Sequence, residues 1–372
     1  MKKNILILSN SIGGLHSFRK EVVKAICDAG YNVYISVPEV SDEKADYFRN
    51  MGCTLVKTEF NRRGTNPFAD FNLMQVYRKL IKQLRPVAVL TYTIKPNVYG
   101  GIAARLCRVP QLANVTGLGD AVENGGWMQK LTVTLYKMGL GKARRVFFQN
   151  ASNREFGIRM GIAGESSILL PGSGVNLQHH TYQEYPVEEG RIRFLYIGRL
   201  LKDKGAEELF GAAKAIKAKY PQTEFQIVGN VEGDYQKQLD ELVADGIVRF
   251  LGPQADVRPF IGAVECTIMP SYHEGMSNVN LESAANGRPV ITTNVPGCKE
   301  TVDDGKTGFL CEAKSEKSLI GAVERFIALP YEQKALMGRE GRKKVEREFD
   351  RKIVVDAYLN EINKLSYVQT LF

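Results

Sequence analysis

The chain has 372 residues, of which 44% are apolar and 24% charged, with 50 Lys/Arg against 41 Asp/Glu. That length favours two domains, and the composition is that of a globular protein rather than a fibrous or disordered one. No run approaches the roughly 20 apolar residues of a membrane span, and the six cysteines (27, 53, 107, 266, 298, 311) form no CxxC pair and adjoin no histidine, which points away from a zinc centre or a disulfide framework.

The N-terminus "MKKNILILSNSIGG" starts like a signal peptide, but its apolar run is too short and no small-residue cleavage site follows. Residues Asn4–Leu8 therefore read as a buried first strand, and the protein as cytoplasmic. A helical pattern from Ser17 to Ala29 comes next, closed by Gly30. Strands follow over 32–37 and 53–60, then a helix over 71–84 with Pro86 just beyond it. Further strands read over 87–92, 111–116 and 145–150. Strands alternating with helices predict a parallel sheet with helices on both faces.

"LPGSGVN" (170–176) breaks the pattern, which then restarts. Strands read over 191–198, 224–229, 247–252, 266–271 and 289–293. Helices read over 206–220 and 278–287, the second with Gly287 at its C-terminal cap. The expected architecture is two Rossmann-like α/β domains facing each other across a cleft. Open sheets of this kind bind ligands beyond the C-terminal ends of their strands.

Charge is unevenly divided. Residues 1–170 hold 24 Lys/Arg and 12 Asp/Glu, net +12, while residues 171–372 hold 26 and 29, net −3. A basic half beside a mildly acidic one points to an anionic surface or ligand for the basic half. The aromatic-basic interleaving of a nucleic-acid binder is missing.

The densest constellation is "SYHEGMSNVNLE" (271–282), with Glu274 before a helix start and Glu282 inside it. Ser277 suits the N-cap. The helix start then offers N–H groups and partial positive charge to a phosphate. Carboxylates on either side can accept hydrogen bonds from sugar or ribose hydroxyls. "GRLLKDKG" (198–205) supplies Arg199 and Lys204 from another strand end, two cations suited to a diphosphate.

The order "GSGVN … GRLLKDKG … IVG … FLG … PSYHEGMSNVNLESAANGRPVI … GCKE … DGKTG" resembles glycosyltransferase family 4, which has the GT-B fold. In the first half "SIGGLHSFR", "RRGTNPF", "KPNVYGGIAAR" and "TGLGD" resemble the branch that builds bacterial lipid-linked glycans, including the N-acetylgalactosaminyltransferase of N-glycan assembly. The resemblance implies a nucleotide-sugar donor, expected to be UDP-linked, held by the C-terminal half, with no metal and no resident cofactor. Arg199 and Lys204 would neutralise the donor diphosphate together with the helix start, Gly275, Met276, Ser277 and Asn278. Glu274 would bind the transferred sugar, Glu282 the ribose, and the 251–257 segment with Pro253 the base. Transfer with retention, by same-face attack, is implied.

In the first half, Gly13 and Gly14 permit close backbone approach, and the resemblance favours contact with diphosphate and acceptor. His16 near the helix start is a candidate ligand contact. Lys95 and Asn97 follow a strand and are expected to face the cleft, with Lys95 on the acceptor's phosphate. Many family members carry a histidine near 114–120; here Thr116 and Asp120 stand instead. Arg62 and Arg63 beside Phe68 suit anionic lipid headgroups.

The C-terminal 350–365 segment is amphipathic, and the resemblance implies that it returns to the first domain. The domains are then 1–170 plus 351–372, and 171–350. The expected acceptor is a polyprenyl-diphosphate-linked saccharide at the inner face of the plasma membrane. Three alternatives remain open: a soluble or protein acceptor or a GDP-sugar donor; a non-catalytic anionic-surface or nucleic-acid binder; and a nucleotide-sugar epimerase.

Overall fold

A computed structural model describes residues 2–40, 42–61, 66–117 and 126–368. The backbone divides into two compact units, Met1–Ser173 with Lys352–Phe372, and Gly174–Arg351. The readings on Arg62, Arg63 and Asp120 lie outside the described residues.

The first unit is built on seven strands: β1 Asn4–Leu8, β2 Asn32–Val37, β3 Thr54–Lys57, β4 Ala88–Tyr92, β5 Gln111–Val115, β6 Arg145–Phe148 and β7 Ser167–Leu169. They form one parallel sheet in the order β3-β2-β1-β4-β5-β6-β7. β4 and β5 are buried at every position, and β1 at all but its first residue. Strands covered on both faces need continuous apolar runs, and this is why they stand out in the sequence. The C-terminal helix Arg351–Val368 packs Val354, Tyr358, Ile362 and Leu365 into this unit's core beside Ile7, Tyr92 and Phe147.

The second unit holds β8 Ile192–Ile197, β9 Thr223–Val228, β10 Val248–Phe250, β11 Cys266–Met269, β12 Val290–Thr293 and β13 Gly308–Cys311. The parallel order is β10-β9-β8-β11-β12-β13. In both sheets the chain leaves its first strand to one side and later returns to the other. β1 thus lies between β2 and β4, and β8 between β9 and β11. At such a reversal the loops after the two neighbouring strands diverge and leave room for a ligand.

Among the described residues no helix is long and apolar enough to cross a membrane.

Candidate functional site

In the second unit the reversal lies between β8 and β11. The loop after β8 passes through Arg199 and the short turn Lys202–Lys204 into the helix Ala206–Lys219. The loop after β11 runs from Pro270 to Ser277, which caps the helix Asn278–Ala285. The Tyr272 N–H donates to Asp203 O at 2.9 Å and ties the loops together. Gly205, at φ +72°, fits only without a side chain, because a Cβ would lie 2.2 Å from Pro270 O.

This closeness makes the central contact. Lys204 Nζ donates to Glu274 Oε1 at 2.7 Å, and Ser271 Oγ donates to the same oxygen at 3.0 Å. Both charged side chains are less than a fifth exposed, at 17% and 18%. The pair is thus partly withdrawn from water, where charge interactions are stronger than on an open surface. Arg199 differs. Its NH1 is 3.1 Å from Glu232 Oε1 in a pair about half exposed on each side. Its backbone is the better-held part, since the Tyr196 hydroxyl donates to Arg199 O at 2.8 Å.

The helix start is fixed from behind. Asn280 is fully buried and donates to Thr292 Oγ1 at 3.1 Å and Thr301 Oγ1 at 3.0 Å, which locks the helix to β12. Ser277 Oγ accepts from Asn280 N at 3.3 Å. The Ser277 N–H donates to Gly297 O at 2.7 Å, so this expected phosphate donor is already engaged. Met276 is a core side chain packed with Val175, Leu281 and Val345, and only its backbone is available to a ligand. Asn278 keeps a buried Oδ1 without a partner, an unusual state for a buried acceptor. Gly275 lies between Glu274 and this start.

Gly297 holds the Glu274 loop from the other side. It sits at φ +83°, and a Cβ there would be 2.2 Å from Glu274 O. Gly297→Ala is expected to lower stability by about 2 kcal/mol or more, because backbone overlap adds to the left-handed strain. Turnover should fall with it as Glu274 is displaced. Thermal melting and initial rates check this; a variant with wild-type values for both would show that the loop is not held here.

Glu282 lies on the helix as anticipated, with its side chain 23% exposed. Burial pushes its carboxyl up to about 7, against a smaller opposing pull from Arg351. Beside it stands His180, a residue the sequence reading missed. Its Nε2 is 3.9 Å from Glu282 Oε1 and its Nδ1 is 3.1 Å from Asn286 Oδ1. Burial lowers the imidazole to about 4, so near neutral pH this contact is not an ion pair. Pro253 sits exposed on the turn after β10, where Gly252 at φ +66° accepts from Gly229 N at 3.0 Å.

The first unit has its own concavity at the C-terminal strand ends. A cavity of about 250 Å³ is lined by Asn10, Phe60, Lys95, Asn97, Thr116 and Tyr136, among others. Lys95 is 13% exposed and paired with Asp70 at 2.6 Å; Asp70 also accepts from the Tyr99 hydroxyl at 2.8 Å. Asn97 borders the cavity but does not offer its amide to it. Its Oδ1 accepts from Thr91 Oγ1 at 2.7 Å, and its Nδ2 donates to Asn114 O at 2.8 Å. Asn97 lies in the helical turn Pro96–Gly100 after β4; a buried amide must satisfy both its ends, and here β4 and β5 do so. Thr116 is exposed at the rim.

One placement near β1 corrects the sequence reading. The first helix spans Ile12–Asp28, so Gly13 and Gly14 form its first turn rather than a loop before it. Ser11 Oγ accepts from Gly14 N at 3.0 Å. His16 packs edge-on against Tyr47, with ring centroids 4.9 Å apart. Among the described residues no cluster of three His, Cys, Asp or Glu side chains is placed to hold a metal ion.

Solved structures of the same fold include sucrose-phosphate synthase from Thermosynechococcus elongatus (TM-score 0.78, 20% identity, covering 99% of this chain and 100% of that one) and Anabaena HepE in complex with UDP and glucose (TM-score 0.76, 18% identity, covering 97% and 99%). The two parallel-sheet units define a GT-B fold. Residues 4–150 match the family model described as "Glycosyl transferase 4-like", and residues 180–344 the one described as "Glycosyl transferases group 1". The chain thus carries a glycosyltransferase 4-like domain followed by a glycosyltransferase group 1 domain. Among its relatives is a Campylobacter jejuni protein named N,N'-diacetylbacillosaminyl-diphospho-undecaprenol alpha-1,3-N-acetylgalactosaminyltransferase, 26% identical over 95% of this chain and 96% of its own. Another is the Staphylococcus aureus capsular polysaccharide biosynthesis glycosyltransferase CapM, 27% identical over 77% and 79%.

Proposed function

We propose that the protein is a retaining glycosyltransferase that moves an N-acetylhexosamine or hexose from a UDP-sugar to a polyprenyl-diphosphate-linked saccharide. It works as a peripheral protein at the inner face of the plasma membrane. The observation that carries this is the Lys204–Glu274 pair at the strand reversal of the second unit, 2.7 Å apart beside a capped helix start. The names of the Campylobacter and Staphylococcus relatives support a lipid-linked or polysaccharide product.

The chemistry follows from charge. Departure of a nucleoside diphosphate builds negative charge on its β-phosphate. In the proposed reaction Lys204, Arg199 and the first-turn N–H groups supply cations and donors to that charge, which is the most effective kind of barrier lowering. In this reading the diphosphate takes over from Glu274 as the partner of Lys204, and from Glu232 as that of Arg199. Glu274 then turns to hydroxyls of the transferred sugar, whose anomeric carbon becomes cation-like as the bond loosens. Glu274 orients and supplies field; it is not a covalent nucleophile. Glu282 receives the ribose hydroxyls, and the turn at Pro253 the base. In the first unit, Lys95 exchanges Asp70 for a phosphate of the acceptor.

The test is a binding comparison followed by a donor panel. UDP is expected to bind more tightly than UMP, and Arg199→Ala to narrow that gap roughly tenfold through loss of a charge-assisted contact. Hydrolysis of UDP-sugars over GDP- and ADP-sugars should then identify the donor. Equal affinity for UDP and UMP, with no effect of the variant, would sink the diphosphate assignment.

A further inference from the structure

The helix Gly126–Leu140 is apolar on two sides. One side is core, with Val133, Tyr136 and Leu140 buried. On the other side Trp127 is 72% exposed, Leu131 44% and Met138 49%. These positions are four and seven residues apart, so they share one outward face. Arg105 NH1 donates to Met138 O at 3.3 Å, which brings Leu106, itself 52% exposed, alongside. A continuous apolar stripe of this kind on a soluble unit marks an interaction surface.

Charge identifies what the stripe meets. Lys130 and Lys137 are exposed on the same helix. From Phe71 to Arg154 the sequence holds 13 Lys/Arg and only two acids, Asp120 and Glu123. The complementary surface is therefore both apolar and anionic. A helix with Trp and Leu on one face and lysines along one flank lies in the plane of a membrane interface, its apolar face among the acyl chains and its lysines on the headgroups. At 15 residues it is about 22 Å long, too short to span and well suited to lie flat.

We propose that the outward face of helix Gly126–Leu140 docks the protein onto an anionic lipid bilayer. This rests on the reading that the acceptor is membrane-borne, and it locates the contact on this helix rather than on the 60–68 loop that the sequence suggested.

Trp127 is the chain's only tryptophan, so intrinsic emission reports on this face alone. Full-length protein is titrated with phosphatidylcholine vesicles, with and without phosphatidylglycerol, and binding is followed in parallel by co-sedimentation. Anionic vesicles should shift the emission to the blue and shield it from acrylamide, neutral vesicles should do neither, and high salt should reverse the effect. Lys130→Glu with Lys137→Glu should lower partitioning at least fivefold per site, with donor hydrolysis unchanged. Leu131→Ser with Met138→Ser should weaken binding to anionic vesicles without changing the melting temperature, since both side chains face solvent.

Co-sedimentation with an unshifted Trp127 would place the contact elsewhere and overturn the proposal, while leaving the lipid-linked acceptor intact. A blue shift that follows protein concentration without vesicles would assign the face to a second copy of the chain, and also overturn it. So would absence of vesicle binding while a detergent-solubilised lipid-linked acceptor is still elongated. Failure of both vesicle binding and elongation would sink the acceptor reading as well.

Discussion

Lys204→Ala is expected to lower kcat/KM for the donor by roughly a hundred- to a thousandfold, the usual range for removing one fixed donor to a developing anion. Three features set Lys204 apart from the other cations. It comes from the turn that Gly205 presses against Pro270, so its backbone cannot drift. Its side chain is 17% exposed, against 48% for Arg199. Its partner is a carboxylate that two loops hold in place. Removing the ammonium thus takes away the cation meant for the diphosphate and also leaves Glu274 partly buried without its counter-charge, a state that repels an incoming phosphate. Arg199→Ala should cost about tenfold, because a solvated guanidinium contributes less.

The converse variant gives the sharper contrast. Glu274→Gln relieves Lys204 of its partner, so UDP affinity should hold or rise while turnover falls. Isothermal titration with UDP, alongside initial rates over a range of donor concentrations, separates the two effects. Unchanged UDP affinity in Lys204→Ala, or parallel losses in all three variants, would mean that the pair is a structural tie between two loops and nothing more.

The sequence made these residues visible because both follow apolar strands, and polar residues at the C-terminal ends of parallel strands face ligand space. It could not show that Lys204 and Glu274, 70 residues apart, meet at 2.7 Å. That depends on β8 and β11 being neighbours, a long-range fact. Asn97, expected to face ligand space, has its amide taken up by the sheet instead. A side chain that fastens the turn after a strand to the sheet carries the same local signature as one that faces a ligand, and only the partners Thr91 and Asn114 tell them apart.

Other differences have local causes. The first helix starts at Ile12 rather than Ser17 because Ser11 caps it, while two glycines of poor helix propensity conceal its opening turn. β7 and β13, of three and four residues, are not read as strands in the sequence, although β10 and β12 of the same lengths are. His180 belongs to no motif and becomes significant only beside Glu282. The helix Gly126–Leu140 hid its outer face because a segment apolar on both sides shows little amphipathic contrast.

The Glu282 carboxyl should make donor binding depend on pH through about 7, its folded-state value. Only the ionised form accepts hydrogen bonds from two ribose hydroxyls through both oxygens. UDP affinity should therefore rise as pH passes upward through that range. Binding should release protons there, read by calorimetry in buffers of different ionisation enthalpy. Glu282→Gln should bind UDP more weakly at high pH and lose this dependence.

The same proton acts on stability with a sign that can be worked out. An ordinary glutamate titrates near 4.5, and Glu282 in the folded chain near 7. Between those values the folded state holds a proton that the unfolded chain has lost, so stability falls as pH rises, by on the order of 3 kcal/mol at most. His180 works the other way. Its folded value near 4 lies below the ordinary 6.5, so between them the unfolded chain binds the extra proton and stability rises with pH. The two neighbours oppose each other from 4.5 to 6.5, and only Glu282 acts between 6.5 and 7. Relative to the wild type, Glu282→Gln should therefore gain stability steadily from pH 4.5 to 7, and His180→Asn should lose its advantage between pH 4 and 6.5. Urea unfolding across that range would test the pair; flat differences for both variants would mean that neither group titrates in the folded chain as its burial dictates.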